Sequence, residues 1–300
     1  MTYYVLASCL ALAMFISLNV LGSLLSTSLW VGLRRRTQGW SASTRARVLF
    51  WLRTLPPVCA LTFVMFLLLP AYLIHEPYPA PETVGFALLA LALYSAFSIA
   101  HALFRAVASW RATRRLKAMW LRRAEPLSLR GIAIPVYLLR HPTPVIAVVG
   151  VLHPTLFIAG QVLDSLSREE LEVALMHEKA HLIARDTLRR AVLNFCRDLL
   201  LIGGGHTLDR AWVEEAERAA DEYAARAGAA VALDLAAALI KIARLMPAGV
   251  NNVVPAGAFL LEGGDNGVAG RVRRLTEMAS TRETSAGGEL QLSKATLLTG

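Results

Sequence analysis

The segment SREELEVALMHEKAHLIARDTLRRAVLNF, residues 167–195, decides how this chain is read. Ser167 followed by Glu170 is the S-x-x-E pattern, in which each side chain caps a backbone N–H at the start of a helix. It predicts a helix from Ser167 to about Phe195. Inside it, His177-Glu178-Lys179-Ala180-His181 has H-E-x-x-H spacing. Residues four apart share one helix face, so both imidazoles can reach a single metal ion. Glu178 would then lie beside water at that ion, placed to act as a general base.

Two imidazoles leave a catalytic zinc site short of its usual third protein ligand. The stretch Glu214-Glu215-Ala216-Glu217-Arg218-Ala219-Ala220-Asp221-Glu222-Tyr223 supplies candidates. Glu217 and Asp221 are one helical turn apart and can face the same way. Glu217 is the expected third ligand, and Asp221 the acceptor for a ligating imidazole's second nitrogen. Glu214 and Glu215 remain alternative ligands. His206, Tyr223 and Arg271 are each conceivable as stabilisers of a developing oxyanion, and the sequence does not choose among them. His75, His101, His141 and His153 lie outside the motif and are read as structural or surface residues.

Upstream of the helix, short β-type runs cover Ile132 to Leu139, Val145 to Val151 and Thr155 to Ala159, punctuated by Pro135, Pro142, Pro144 and Pro154. Downstream, Gly203-Gly204-Gly205 marks a break. Further helices are expected over about Asp209 to Ala227 and Val231 to Met246. The Ser/Thr/Gly-rich end from about Ser280 is expected to be disordered.

The first third has a different character. The chain is 55% hydrophobic and only 18% charged, and the apolar excess is concentrated there. Runs of about 3–26, 57–74 and 84–104 are each long enough to cross a bilayer. Arg34, Arg35, Arg36, Arg45, Arg47 and Arg53 fill the first intervening loop. The second, His75 to Thr83, has no Lys or Arg. The positive-inside rule then places the N-terminus outside, gives three crossings, and leaves the remainder in the cytoplasm. Residues 105–125 are expected to be a basic amphipathic linker, either lying along an anionic leaflet or serving as a solvated stop-transfer flank.

The net charge of +9 is explained by these flanks, and no nucleic-acid-binding motif accompanies it, so no direct nucleic-acid partner is expected. Cys9, Cys59 and Cys196 are odd in number and lack C-x-x-C spacing, which argues against a disulfide framework. The expected fold class is mainly α with a small β-sheet. Three N-terminal transmembrane helices (1–104) and the linker precede an α+β domain at 126–279 and a tail at 280–300.

His177-Glu178-Lys179-Ala180-His181-Leu182-Ile183-Ala184-Arg185-Asp186 resembles the H-E-L-x-H-x-x-x-R-D segment of two related membrane peptidase families. These are the BlaR/MecR-type antirepressor peptidases and the HtpX and CAAX-prenyl-protease group. Glu217 to Asp221 matches their E-x-x-x-D stretch, and Arg271-Val272-Arg273-Arg274-Leu275 is similar to their late R-V-x-x-L segment. The likeness covers roughly residues 1–277, and the topology favours the BlaR/MecR type.

The resemblance implies a zincin-like (gluzincin) domain holding Zn2+ through His177, His181 and Glu217. It implies a membrane-embedded zinc endopeptidase of the bacterial inner membrane. Its substrate would be a protein or peptide, such as a cytoplasmic transcriptional repressor, paired with an edge strand at Val145, Ile146, Ala147, Val148 and Val149. Lys179 and Ala220 depart from the BlaR/MecR pattern, and Ala220 is closer to the HtpX group. The C-terminal sensor of the β-lactam receptors is missing, so no β-lactam binding is expected. A quality-control protease and a catalytically inactive zinc-bound adaptor are the alternative functions.

Overall fold

The computed structural model describes residues 2–76, 84–129, 131–141, 144–201, 206–246 and 267–282. The fold is mostly helical with one four-stranded sheet. Two compact units can be distinguished, Met1–Arg111 with Arg189–Glu215, and Ala112–Leu188 with Ala216–Gly300. The tail from residue 283 and the triple glycine at 203–205 lie outside the described residues.

The first unit contains helix α1 (Thr2–Leu33), then α2 (Ala42–Phe63), a π-helical turn (Val64–Leu68) and α3 (Leu69–His75), followed by α4 (Phe86–Leu121). Tyr3–Leu33, Ala42–His75 and Phe86–Leu121 are long and apolar enough to cross a membrane, with mean hydropathies of 2.2, 2.2 and 1.9. All three helices outrun the apolar stretches that announce them. Ser41 caps α2, accepting from the Thr44 N–H, so Arg45, Arg47 and Arg53, read as loop, lie on a helix, while Arg34, Arg35 and Arg36 stay in the turns before it. The basic segment after Phe104 likewise continues α4. Phe66, Phe86 and Phe104 are exposed on these helices, an apolar exterior suited to lipid.

Inside the unit, α1 and α2 approach closely. A Cβ on Gly22 would lie 3.0 Å from Pro56 Cβ, so the glycine is what admits the proline ring. Phe15, Ala60, Val64, Ala102 and Leu199 form one buried cluster, with Phe195 packed against it. The segment after helix α7 (Asp186–Asp198) therefore enters the bundle of apolar helices, where the Ser98 hydroxyl donates to the Leu199 carbonyl.

The second unit is built on a sheet of order β1-β2-β4-β3, with β1 at Ala124–Pro126, β2 at Val136–Leu139, β3 at Ile146–Val149 and β4 at Thr155–Ala159. β2 and β4 run parallel, and the other two pairings are antiparallel. β4 is central and wholly buried. β3 stands at one end of the sheet, yet all four of its residues are buried. Trp120, on the last turn of α4, packs with Leu139, Val145 and Phe157 on one face.

After a short helix α5 (Gly160–Ser165), helix α6 (Arg168–Ala184) carries the motif. Both halves of the capping box form: Ser167 Oγ accepts from Glu170 N–H at 3.2 Å, and Glu170 Oε2 accepts from Ser167 N–H at 2.7 Å. The expected helix to Phe195 breaks early, because Arg185 adopts a left-handed conformation (φ 55°) and α7 starts anew at Asp186. Helices α8 (His206–Ala224) and α9 (Ala229–Leu245) follow, and residues 267–282 form α10. Val173 and Ala174 of α6 pack with Leu235, Leu239 and Ile242 of α9 and with β4, which makes α6 a core helix. Lys241 of α9 reaches Glu170 at 2.7 Å.

Candidate metal centre

The buried residues of α6 are Glu170, Val173, Ala174, His177, Glu178 and His181, a single stripe at helical spacing. Its first half faces the core, and its second half presents three polar side chains that are 2% exposed or less. Burying such groups is unfavourable unless they find partners. Here the partners come from α7, α8 and α10.

His177, His181 and Glu217 each offer one ligand atom, all within 4.8 Å of one another, so the three can hold a metal ion. The two Nε2 atoms are 3.2 Å apart, and each lies 3.6 Å from a Glu217 oxygen. A tetrahedral ion with bonds of ~2.0–2.1 Å separates its ligand nitrogens by about 3.3–3.4 Å, so this spacing suits a shared cation. Although Arg271 Nη1 lies 3.0 Å from Glu217 Oε2, neither Glu217 oxygen accepts a hydrogen bond, and neither do the two of Glu178. Buried carboxylate oxygens left this way are what an ion or its water would satisfy.

Around the ligands stands a second ring. His181 Nδ1 is 2.8 Å from Asp186 Oδ2, and His177 Nδ1 is 3.1 Å from Asp221 Oδ1. Arg271 of α10 donates to both Asp221 oxygens, at 3.0 and 2.7 Å, and its Nη2 lies 3.4 Å from His177 Nε2. Asp221 thus lies between His177 and Arg271. Asp186 was missed as a partner, although it directly follows the helix break, and Arg271 was named without its ion pairs.

Burial pulls the His177 pKa down, but Asp221 and Glu217 outweigh it and raise it to about 9. Burial pushes Glu178 up to about 7, with the two histidines opposing. For Glu217 and Asp221 burial acts upward, and Arg271 with His177 holds both below the ordinary carboxylate range. The site therefore combines low-lying carboxylates with one carboxylate poised near neutrality, a combination seen where proton transfer is needed.

The remaining candidates fall away from this cluster. Glu214 is exposed, and Glu215 is turned to Arg45 at 2.7 Å. His206 is exposed, and Tyr223 lies under the Arg226 guanidinium, 5.1 Å from its ring centroid. His75 is exposed, His101 stacks on Phe97, His141 packs by Trp120, and His153 offers its carbonyl to Lys117. Lys179 is exposed, so its charge is solvated. No protein-family model matches the chain, and no curated protein sequence matches it.

Proposed function

We propose that this protein is a membrane-embedded zinc endopeptidase of the BlaR/MecR type, with a gluzincin domain on the cytoplasmic side of a bacterial inner membrane. The observation that carries the reading is the meeting of His177, His181 and Glu217 donor atoms within 4.8 Å, with Glu178 buried on the same face of α6. The arginine-rich flanks of the three apolar helices support the orientation.

His177, His181 and Glu217 would hold the ion, and Asp186 would fix the His181 tautomer so that Nε2 carries the lone pair. When bound, zinc supplies Lewis acidity, polarising the scissile carbonyl and acidifying water toward neutrality. Glu178 takes the proton from the attacking water at a carboxylate oxygen and passes it to the leaving amine. Its pKa near 7 suits it to both tasks.

Arg271, already held by Asp221 and Glu217, keeps a fixed positive charge beside the ligand set. β3 offers a sheet edge on which an extended substrate can pair. Because all four β3 residues are buried, pairing requires that edge to be uncovered first. The substrate class we propose, read from the topology of the three apolar helices, is a cytoplasmic repressor or another membrane-proximal protein.

The deciding experiment is elemental analysis of the full chain purified in a lipid nanodisc. Wild type and Glu214→Ala should each retain about one zinc per chain, and Glu217→Ala should lose it. A wild type without stoichiometric zinc, or a Glu217→Ala variant that keeps it, would defeat the reading.

A further inference from the structure

Polar side chains inside an apolar helix bundle are unfavourable unless they find partners, and several in α1 find them locally. Ser8, Ser17 and Thr27 each donate to the carbonyl four residues back. Asn19 and Ser23 do not. Asn19 is 0% exposed and Ser23 is buried, yet Asn19 Nδ2, Asn19 Oδ1 and Ser23 Oγ have no hydrogen-bond partner. Their helix is long and apolar enough to cross a membrane, where an unmet amide is most destabilising.

The two side chains are one turn apart on the buried side of α1, which packs chiefly on α2. Gly22, beside them, is the residue whose Cβ would meet Pro56 at 3.0 Å. At that level α2 has a defect of its own. Pro56 and Pro57 stand inside the helix, and neither ring nitrogen can donate, so the carbonyls of Leu52 and Arg53 lose their usual helical donors. Arg53, Pro56 and Pro57 are all buried, which puts the defect on the packed side of α2. In a bilayer core, such carbonyls must be satisfied from within the protein. Unmet groups of two helices thus lie on either side of the Gly22–Pro56 contact.

We propose that Asn19 and Ser23 hold a buried water site that replaces the hydrogen bonds α2 loses at Pro56 and Pro57. Water is the ligand whose chemistry fits this set. Buried water makes about three hydrogen bonds and both donates and accepts. Asn19 Nδ2 supplies a donor, and Asn19 Oδ1 with the freed carbonyls supplies acceptors. A cation would leave Nδ2 unmet, and the Arg53 guanidinium on the same stripe of α2 repels one. An anion would meet mostly acceptors. With water in place, α2 runs on as a helix through a point where its own hydrogen bonds fail.

The test is X-ray radiolytic footprinting of the full chain in a lipid nanodisc, in which water held against a buried side chain labels it. Pro56 and Pro57 are expected to be labelled above Val64, which lies in the apolar cluster with Phe15, and to lose that excess in Asn19→Leu. Thermal midpoints give a second readout, for wild type, Asn19→Leu, Pro56→Ala with Pro57→Ala, and all three substitutions together. Asn19→Leu should lower the midpoint by about 2–4 °C, the scale of one lost hydrogen bond. With both prolines replaced the helix makes its own bonds, and Asn19→Leu should then leave the midpoint unchanged.

Wild-type label on Pro56 and Pro57 no higher than on Val64 would overturn the proposal. So would a raised midpoint in Asn19→Leu, which marks the amide as unused, or an equal drop in both backgrounds, which marks it as packing alone. If Asn19→Leu does not fold, the wild-type label decides by itself.

Discussion

His181 Nδ1 meets Asp186 Oδ2 at 2.8 Å across the break between α6 and α7. The contact exists because the helix stops: Arg185 turns left-handed, and the new helix begins with Asp186 aimed back at the ring. The Nδ1–H therefore donates to a carboxylate and Nε2 is left to bind a cation.

Asp186→Asn removes that charge and permits the wrong tautomer. Metal affinity should fall by about 10–100-fold, read by chelator competition. An unchanged affinity would show that Asp186 does not orient the ligand.

A second expectation concerns pH. His177 is raised to about 9 from 6.5, with burial opposing and Asp221 and Glu217 prevailing, and Glu178 is raised to about 7 from 4.5 by burial. Both groups hold their protons more tightly folded than unfolded. The stability each contributes is complete below its unfolded value and is lost as pH rises through its folded value. Metal-free protein should therefore lose stability between pH 4.5 and 7 through Glu178, and between 6.5 and 9 through His177. A cation competes with the His177 proton, so zinc affinity should rise over the second window, by up to about tenfold per pH unit. Thermal unfolding with chelator and with zinc, at several pH values, checks both signs. A chelated protein that gains stability from pH 6.5 to 9 would contradict the assignment.

Much of the site was legible because it is written in helical spacing. His177 and His181 share a face by their four-residue interval, and Glu217 and Asp221 do so on α8. What joins the two helices is tertiary, and it could be proposed from residue types but not measured from them. The break at Arg185 left no trace, since no glycine or proline marks it. Strand β1 was invisible because Ala124-Glu125-Pro126 has neither alternation nor β-branched residues. The early start of α2 was hidden by its arginines, and so Arg53 was read as a loop residue when it is buried in a helix. Leu199 is buried with Phe15, Ala60 and Ala102, which no periodicity announces.

The loop between β3 and β4 supplies a test of the sheet edge. Gly150 has φ 112°, and a Cβ there would lie 2.6 Å from the His153 carbonyl oxygen, a backbone atom that cannot swing away. Gly150→Ala should destabilise the protein by about 1 kcal/mol or more. The measurement is chemical or thermal unfolding against wild type. A neutral substitution would mean that the hairpin relaxes without cost.

The capping box offers a cleaner reading of α6 itself. Ser167→Ala removes the acceptor for the Glu170 N–H but keeps the backbone N–H that donates to Glu170 Oε2, at a cost of about 1 kcal/mol. Lys241 still reaches Glu170, so the helix should remain in place and zinc content should not change. Loss of zinc in this variant would show that the start of the helix, and not only its stripe of ligands, governs the site.

Glu178→Gln separates holding a cation from using one. Glu178 is not among the three residues whose donor atoms converge, and it lies on the same buried stripe with both carboxylate oxygens lacking a hydrogen-bond partner. The amide is nearly isosteric and removes the one group near the histidines whose pKa of about 7 allows it to accept and return a proton. Zinc content should therefore stay at the wild-type level while peptide-bond cleavage falls by about 10²–10⁴-fold. Mass spectrometry of cytoplasmic and membrane-proximal proteins, comparing cells that carry wild type with cells that carry Glu178→Gln, supplies the readout. Cleavage products that depend on Glu178 would exclude an inactive adaptor. Identical peptide profiles in the two strains, with zinc bound in both, would favour the adaptor over the peptidase.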